Sequence, residues 1–239
     1  MATLYLIRHG QASFMQKNYD VLSETGELQA RILGEYLSKE GFEFDACLMG
    51  LLNRHEGTYA GVAEKYAATE IFLPPAITHE GLNEHQGAEI HRHHLPRFLE
   101  EPENQSLKKA LEEKGHVDPW VRKGLLRLFF RGTREWALGE LHTEGYESFT
   151  AFKERVTGGF EVLKEQLDSH DRVAAFTSGG TIGMIMGLVL GLDDEKVIEL
   201  NWQISNCSIT ELSYSKDKFY LKGFNDNHFF KDKKLITFV

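Results

Sequence analysis

The sequence predicts an α/β protein: a three-layer α/β/α sandwich on a mostly parallel central sheet, with a helical insertion. Three observations predict it. Runs such as Leu4-Tyr5-Leu6-Ile7 and Val173-Ala174-Ala175-Phe176 are short and almost wholly apolar, as strands buried on both faces are. They alternate with longer segments of helical periodicity, and that alternation is the signature of a layered α/β fold. The length, 239 residues, suffices for one large core, here one domain over 1–239 with a sizeable insertion.

Taken in order, Thr3–Ile7 is expected as the first strand, with a polar loop running on to Leu22. Ser23 can cap a helix whose apolar face reads as Leu28, Ile32, Tyr36 and Leu37 and which ends near Gly41. Phe44–Met49 is a second strand, followed by a helix to about Lys65. Ile71–His79 holds a short strand interrupted by Pro74-Pro75. From Ala88 to about Gly139 the chain turns charged and helical, in three pieces: His91–Glu100, Gln105–Lys114 and Pro119–Phe130. This is the insertion, expected to cover one side of the sheet and to form the wall facing a leaving group. Phe149, Phe152, Val156, Phe160, Leu163 and Leu167 then fall on one face of a long helix and read as core. Val173–Thr177 is a further buried strand, and Gly179-Gly180 opens the next helix. Ile209–Tyr214 and Phe219–Phe224 pair across the polar turn Ser215–Lys218.

Composition narrows the function classes. A formal charge of −9 argues against nucleic acid and anionic membranes as partners, because phosphate backbones select basic surfaces. A small phosphorylated metabolite or a phosphorylated side chain, which meets only the local pocket, stays compatible. Cys47 and Cys207 give no disulfide framework and read most simply as buried reduced thiols, with a single bridge left open. No secretory signal is visible, since Arg8 arrives before a hydrophobic region can form. The longest apolar stretch, Ile182–Leu192, is about half of what a bilayer requires. A cytoplasmic location is expected. The apolar segment Leu235–Val239 could pair with another strand or with a second copy of the chain, as in a homodimer.

The chemistry is carried by Arg8-His9-Gly10, where a buried strand stops and delivers a cation and an imidazole to one point. Companions follow in order: Leu51-Leu52-Asn53-Arg54, Gly81-Leu82-Asn83-Glu84-His85-Gln86-Gly87, and Phe176-Thr177-Ser178-Gly179-Gly180-Thr181-Ile182. With Tyr19-Asp20-Val21-Leu22-Ser23 and Gly145-Tyr146-Glu147-Ser148, this set resembles the histidine phosphatase superfamily, the group that includes cofactor-dependent phosphoglycerate mutases. The resemblance spans Leu4 to about His228 and is thinnest across the insertion.

That resemblance implies a metal-independent phosphomonoester hydrolase working through a phosphohistidine on His9, without an organic cofactor. A neutral imidazole is a competent nucleophile near pH 7. Arg8 and Arg54 would hold the phosphoryl oxygens, for which a planar fork of donors is suited. Glu84 lies at the position of the family's proton donor, Gln11 adds a neutral hydrogen bond, and Ser178 and Gly179 open a helix whose backbone N–H groups suit an anion.

Two departures stand out. The family pattern calls for a second histidine where this chain has Ser178, and for an asparagine where it has Met15. Losing one charged pocket contact costs about 2–4 kcal/mol of transition-state stabilisation, or roughly two to three orders of magnitude in rate. Reduced activity is therefore expected, with Ser178→His expected to raise turnover. The alternative is a relative that binds phosphate for regulation without turnover. A phosphoglycerate mutase-type transferase is less favoured, because a mutase must retain its phosphoenzyme and exclude water. His79, His85, His91, His93 and His94 read as a solvated polar face rather than a metal site, although one of them could stand in for the missing imidazole.

Overall fold

In the computed structural model, which describes residues 1–12 and 20–238, the chain divides into two compact units. The first comprises Met1–Glu84 and Lys153–Val239, and the second comprises His85–Phe152. The expected roles of Met15 and Tyr19 lie outside the described residues.

The first unit contains a six-stranded sheet. Its strands are β1 (Ala2–Arg8), β2 (Ala46–Met49), β3 (Ala76–Thr78), β4 (Arg172–Thr177), β5 (Ile209–Ser215) and β6 (Lys218–Asp226), in the order β3-β2-β4-β1-β5-β6. The pairs β3–β2, β2–β4 and β4–β1 are parallel, whereas β1–β5 and β5–β6 are antiparallel. Parallel register brings Arg8 opposite Thr177, so β1 and β4 end side by side. The β5–β6 hairpin turns on Lys216 and Asp217, both at positive φ, the backbone that a two-residue hairpin turn demands.

Alternation along β1 separates the two faces. Tyr5 and Ile7 join a core with Leu33, Leu37, Val62, Tyr66 and Phe176, built under helices α1 (Glu24–Lys39) and α2 (Asn53–Tyr66). Leu4 is paired with Leu212 and turns the other way. On that face Phe160 of α6 (Phe149–Leu167) meets Phe219 with ring centroids 4.7 Å apart, and the Tyr214 hydroxyl donates to Asp168. Helix α7 (Gly179–Leu190) follows β4, and α8 (Asp194–Asn201), an element the periodicity does not show, packs on α7.

Ser23 caps α1 as expected, accepting from the Gly26 N–H. The buried stripe differs from the expected one. It is Gly26, Gln29, Ala30, Leu33, Gly34 and Leu37, while Leu28 is 44% exposed. Small residues explain the shift. A Cβ on Gly34 would lie 2.8 Å from the Val62 Cα, so α1 and α2 touch backbone to backbone along a strip with few large apolar side chains.

The second unit holds α3 (Gly87–Glu100), α4 (Gln105–Lys114) and α5 (Pro119–Ala137). Asp118 caps α5, accepting from the Trp120 and Val121 N–H groups. Trp136 is its buried centre, stacked on His85 at 5.2 Å and edge-on to Phe149 at 5.1 Å. No helix among the described residues is long and apolar enough to cross a membrane. Both cysteines are buried free thiols, and burial pushes the Cys47 thiol up to about 12.

Candidate active site

The four parallel strands deliver their C-terminal ends to one edge of the sheet, where α/β proteins place their ligands. His9 follows β1 and Ser178 follows β4; the His9 N–H donates to the Thr177 carbonyl at 2.8 Å, locking the two strand ends together. The His9 carbonyl accepts from Asn206 Nδ2 at 3.0 Å and from the Cys207 N–H at 3.3 Å. Cys207 holds φ +55 to make that contact, a backbone strain tolerated where surrounding bonds over-determine it.

Gly10 serves a packing need. A Cβ there would lie 2.5 Å from the Gly26 carbonyl oxygen, and a Cβ on Gly26 would lie 2.1 Å from the Gln11 oxygen. Only two glycines let the strand end press this closely on the first turn of α1. The Gln29 side-chain oxygen accepts from the Gln11 N–H at 2.7 Å, and Gln11 Oε1 accepts from Ser23 Oγ at 2.9 Å.

The His9 ring is only 4% exposed. Burial, then the Arg54 and Arg8 charges and the His55 ring, hold its pKa well below the ordinary 6.5. The imidazole is therefore neutral at pH 7. Its Nδ1 lies 2.7 Å from the Gly10 carbonyl oxygen, which can only accept, so Nδ1 carries the proton. The Nε2 lone pair is left facing outward, where it accepts from Arg54 Nε at 3.2 Å.

Arg54 sits in the first turn of α2 and is oriented by Asp20, whose Oδ1 lies 2.7 Å from Nη1. The other Asp20 oxygen accepts from the Asn53 N–H at 2.9 Å and so caps α2 from outside the helix. Arg8 is buried, and its terminal nitrogens donate to the carbonyls of Ile204 and Phe238, the latter at 2.8 Å. The Leu235–Phe238 segment is thereby docked on its own chain: Leu235 O accepts from Gln29 and Thr237 O from the Asn206 N–H.

Glu84 ends a loop fixed at several points. Thr177 Oγ1 donates to Leu82 O at 2.6 Å, Thr181 Oγ1 to Asn83 O at 2.8 Å, and Arg155 to the carbonyls of Glu80, Asn83 and Glu84. The Glu84 carboxylate accepts from the Gly180 N–H at 3.1 Å, at the start of α7. A helix N-terminus favours negative charge, so this position suits a carboxylate. Gly179 is enclosed: a Cβ there would lie 2.5 Å from Asn201 Oδ1 and 3.4 Å from Arg8 Nε.

Ser178 is fully buried and does not cap α7 with its side chain. Its Oγ lies 2.7 Å from His55 Nε2. His55 is fully buried and its ring centroid is 5.7 Å from that of His9. Burial and then Arg54 push its pKa down to about 3, against an opposing pull from Glu84. The sequence reading passed over His55, which adjoins Arg54 on α2. Its adjacency to Arg54 is no signal, because consecutive residues on a helix do not share a face. The five histidines expected on a solvated polar face have other partners, and His85 is buried rather than solvated. His79 caps a short helical turn through the Gly81 N–H, and His94 lies 2.7 Å from the Tyr146 hydroxyl inside the second unit. His85, His91 and His93 pack on Trp136, Phe129 and Tyr146 in that unit.

A mostly parallel sheet that gathers a buried neutral imidazole, two guanidinium groups and a carboxylate at its C-terminal edge defines a mixed α/β protein with a histidine-centred polar site. The family model of the histidine phosphatase superfamily, branch 1, matches residues 4–119 and 128–227, and the chain belongs to that superfamily. Solved structures share the fold. An alpha-ribazole phosphatase from Shigella flexneri is 18% identical, with a TM-score of 0.61 over 94% of this chain and 96% of that one. A phosphoglycerate mutase from Bacillus anthracis is 16% identical, with a TM-score of 0.63 over 95% and 94%. A mycobacterial glucosyl-3-phosphoglycerate phosphatase in complex with inorganic phosphate is 20% identical, with a TM-score of 0.59 over 96% and 99%.

Proposed function

We propose that the chain hydrolyses the phosphomonoester of a small phosphorylated metabolite through a phosphohistidine on His9. The observation that carries this reading is the state of the His9 ring: proton on Nδ1 against Gly10, lone pair on Nε2 turned to Arg54. In the first step Nε2 forms a bond to phosphorus as the ester P–O bond breaks, and Glu84 gives its proton to the departing alkoxide. In the second, Glu84 takes a proton from water as its oxygen attacks phosphorus, the P–N bond breaks, and phosphate leaves.

Arg54, now on Nε2, is placed to move its N–H groups onto phosphoryl oxygens, with Asp20 steering the guanidinium. Arg8, Gln11, Ser178 and the Gly179 N–H complete the phosphate pocket. The two guanidinium groups and the α7 N-terminus supply the positive field that phosphoryl transfer requires, so the chemistry needs neither metal nor organic cofactor. The superfamily and the similar folds, phosphatases and a mutase alike, support phosphoryl chemistry, and hydrolysis is preferred because a mutase must retain its phosphoenzyme and exclude water.

A phosphate-release screen over phosphorylated metabolites, with His9→Ala as control, tests the reading. Release at any substrate is expected to vanish in His9→Ala, and turnover persisting in that variant would refute the nucleophile assignment. A second reading, phosphate binding without turnover, draws on Arg8, whose terminal nitrogens meet the Ile204 and Phe238 carbonyls. It predicts that inorganic phosphate binds while no substrate in the screen is cleaved.

A further inference from the structure

We propose that His55 is a positioning residue acting through Ser178: once substrate draws Arg54 off His9, the hydroxyl touches the transferring phosphoryl group, and the imidazole behind it sets which way that hydroxyl points. This rests on the phosphohistidine reading above.

The geometry is a short polar chain. Ser178 follows β4 beside His9, since Arg8 pairs with Thr177 and the His9 N–H bonds the Thr177 carbonyl. Behind Ser178, at 2.7 Å from its Oγ, lies His55 Nε2, and both residues are wholly inaccessible to solvent. A buried hydroxyl has one proton to give. If His55 bears its proton on Nδ1, Nε2 takes the Ser178 proton, and the hydroxyl turns lone pairs toward the phosphate pocket. If the proton is on Nε2, His55 donates to Ser178 Oγ, and the serine proton is released toward the pocket. Only the second arrangement suits an anion. Hydrogen bonds in series polarise one another, so an imidazole donor also strengthens the serine's own donation.

The site is shaped to hold the ring there. A Cβ on Gly50, at the end of β2, would lie 2.3 Å from His55 Nδ1 and 2.7 Å from the Leu82 carbonyl oxygen. Glycine at 50 is thus the condition for an imidazole at 55. Burial and then Arg54 keep that ring neutral against the opposing pull of Glu84, so it has a single proton to place. The imidazole absent from position 178 is in this way supplied from α2, one hydroxyl further from phosphorus.

The test is a double-mutant cycle on full-length protein with p-nitrophenyl phosphate, following kcat and KM separately. Ser178→Ala and His55→Phe are each expected to lower kcat at least tenfold, and the double variant to fall no further than the worse single one. His55→Gln, whose amide N–H can replace the Nε2 donor, is expected to restore most of kcat and to flatten its pH dependence. Independent, multiplicative losses would overturn the proposal, as would a His55→Phe enzyme as active as His55→Gln. If the His55 variants fail to fold, Ser178→Ala decides, because wild-type kcat without that single oxygen is incompatible with the hydroxyl contact. His9→Ala run alongside separates the two readings. Activity surviving in His9→Ala refutes the phosphohistidine itself, whereas loss there with full activity in Ser178→Ala refutes only the role of the pair.

Discussion

In the proposed reaction, environment as much as identity suits His9 to be the nucleophile. Its Nδ1 proton is fixed by a carbonyl one residue away, and near-complete burial, then the two guanidinium groups, keep the ring neutral. Position 178 is governed just as strictly. From sequence, histidine there reads as a repair. In the structure the side chain at 178 has no exposure and faces His55 at 2.7 Å, so a second imidazole has no space. Ser178→His is accordingly expected to lower turnover and to cost about 1–3 kcal/mol of stability through overpacking. Phosphate release and a urea titration check both expectations, and a faster, equally stable enzyme would show that His55 yields its place.

Among the elements, the contact between the β1 end and α1 sets how rigidly His9 is held. Gly10 and Gly26 meet at backbone distance, closer than any side chain permits. Gly26→Ala is expected to cost about 2–3 kcal/mol, lowering Tm by roughly 5–10 °C, and to reduce kcat by displacing Gln11. Gly158→Ala is the control: it lies on α6, where a Cβ meets nothing within 4 Å. Relief of glycine's entropy cost there should stabilise by about 0.5–1 kcal/mol. Thermal melts of the two variants moving in the same direction would contradict this account. The same glycines explain why the α1 face was misread from its large apolar residues. Helices that approach on Gly34, Gly61 and Ala30 leave Leu28 in solvent.

For the molecule as a whole, two buried histidines make stability depend on acidity. Both have folded pKa values below the ordinary 6.5, His55 at about 3. An unfolded chain therefore binds protons that the folded one refuses, and stability that is complete above pH 6.5 is lost as pH falls toward 3. The urea midpoint is expected to drop between pH 7 and pH 4, and to drop less in His55→Gln, which has nothing to protonate at that position. Identical pH dependence in the two proteins would show that His55 does not bear this load.

The sequence by itself determined the layered α/β class and the order of strands and helices apart from α8, and its likeness to the superfamily marked His9, Arg8, Arg54 and Glu84 as candidate site residues. It did so because strand and helix periods are local properties and because motifs at strand ends converge on one sheet edge in any parallel arrangement. Tertiary structure alone decided what stands behind Ser178. His55 is 123 positions away in sequence, and nothing local marks it as a partner until α2 is laid against the end of β4. The docking of Leu235–Phe238 onto Arg8, Gln29 and Asn206 is likewise invisible to pattern, because hydrogen bonds to backbone carbonyls leave no trace in residue type.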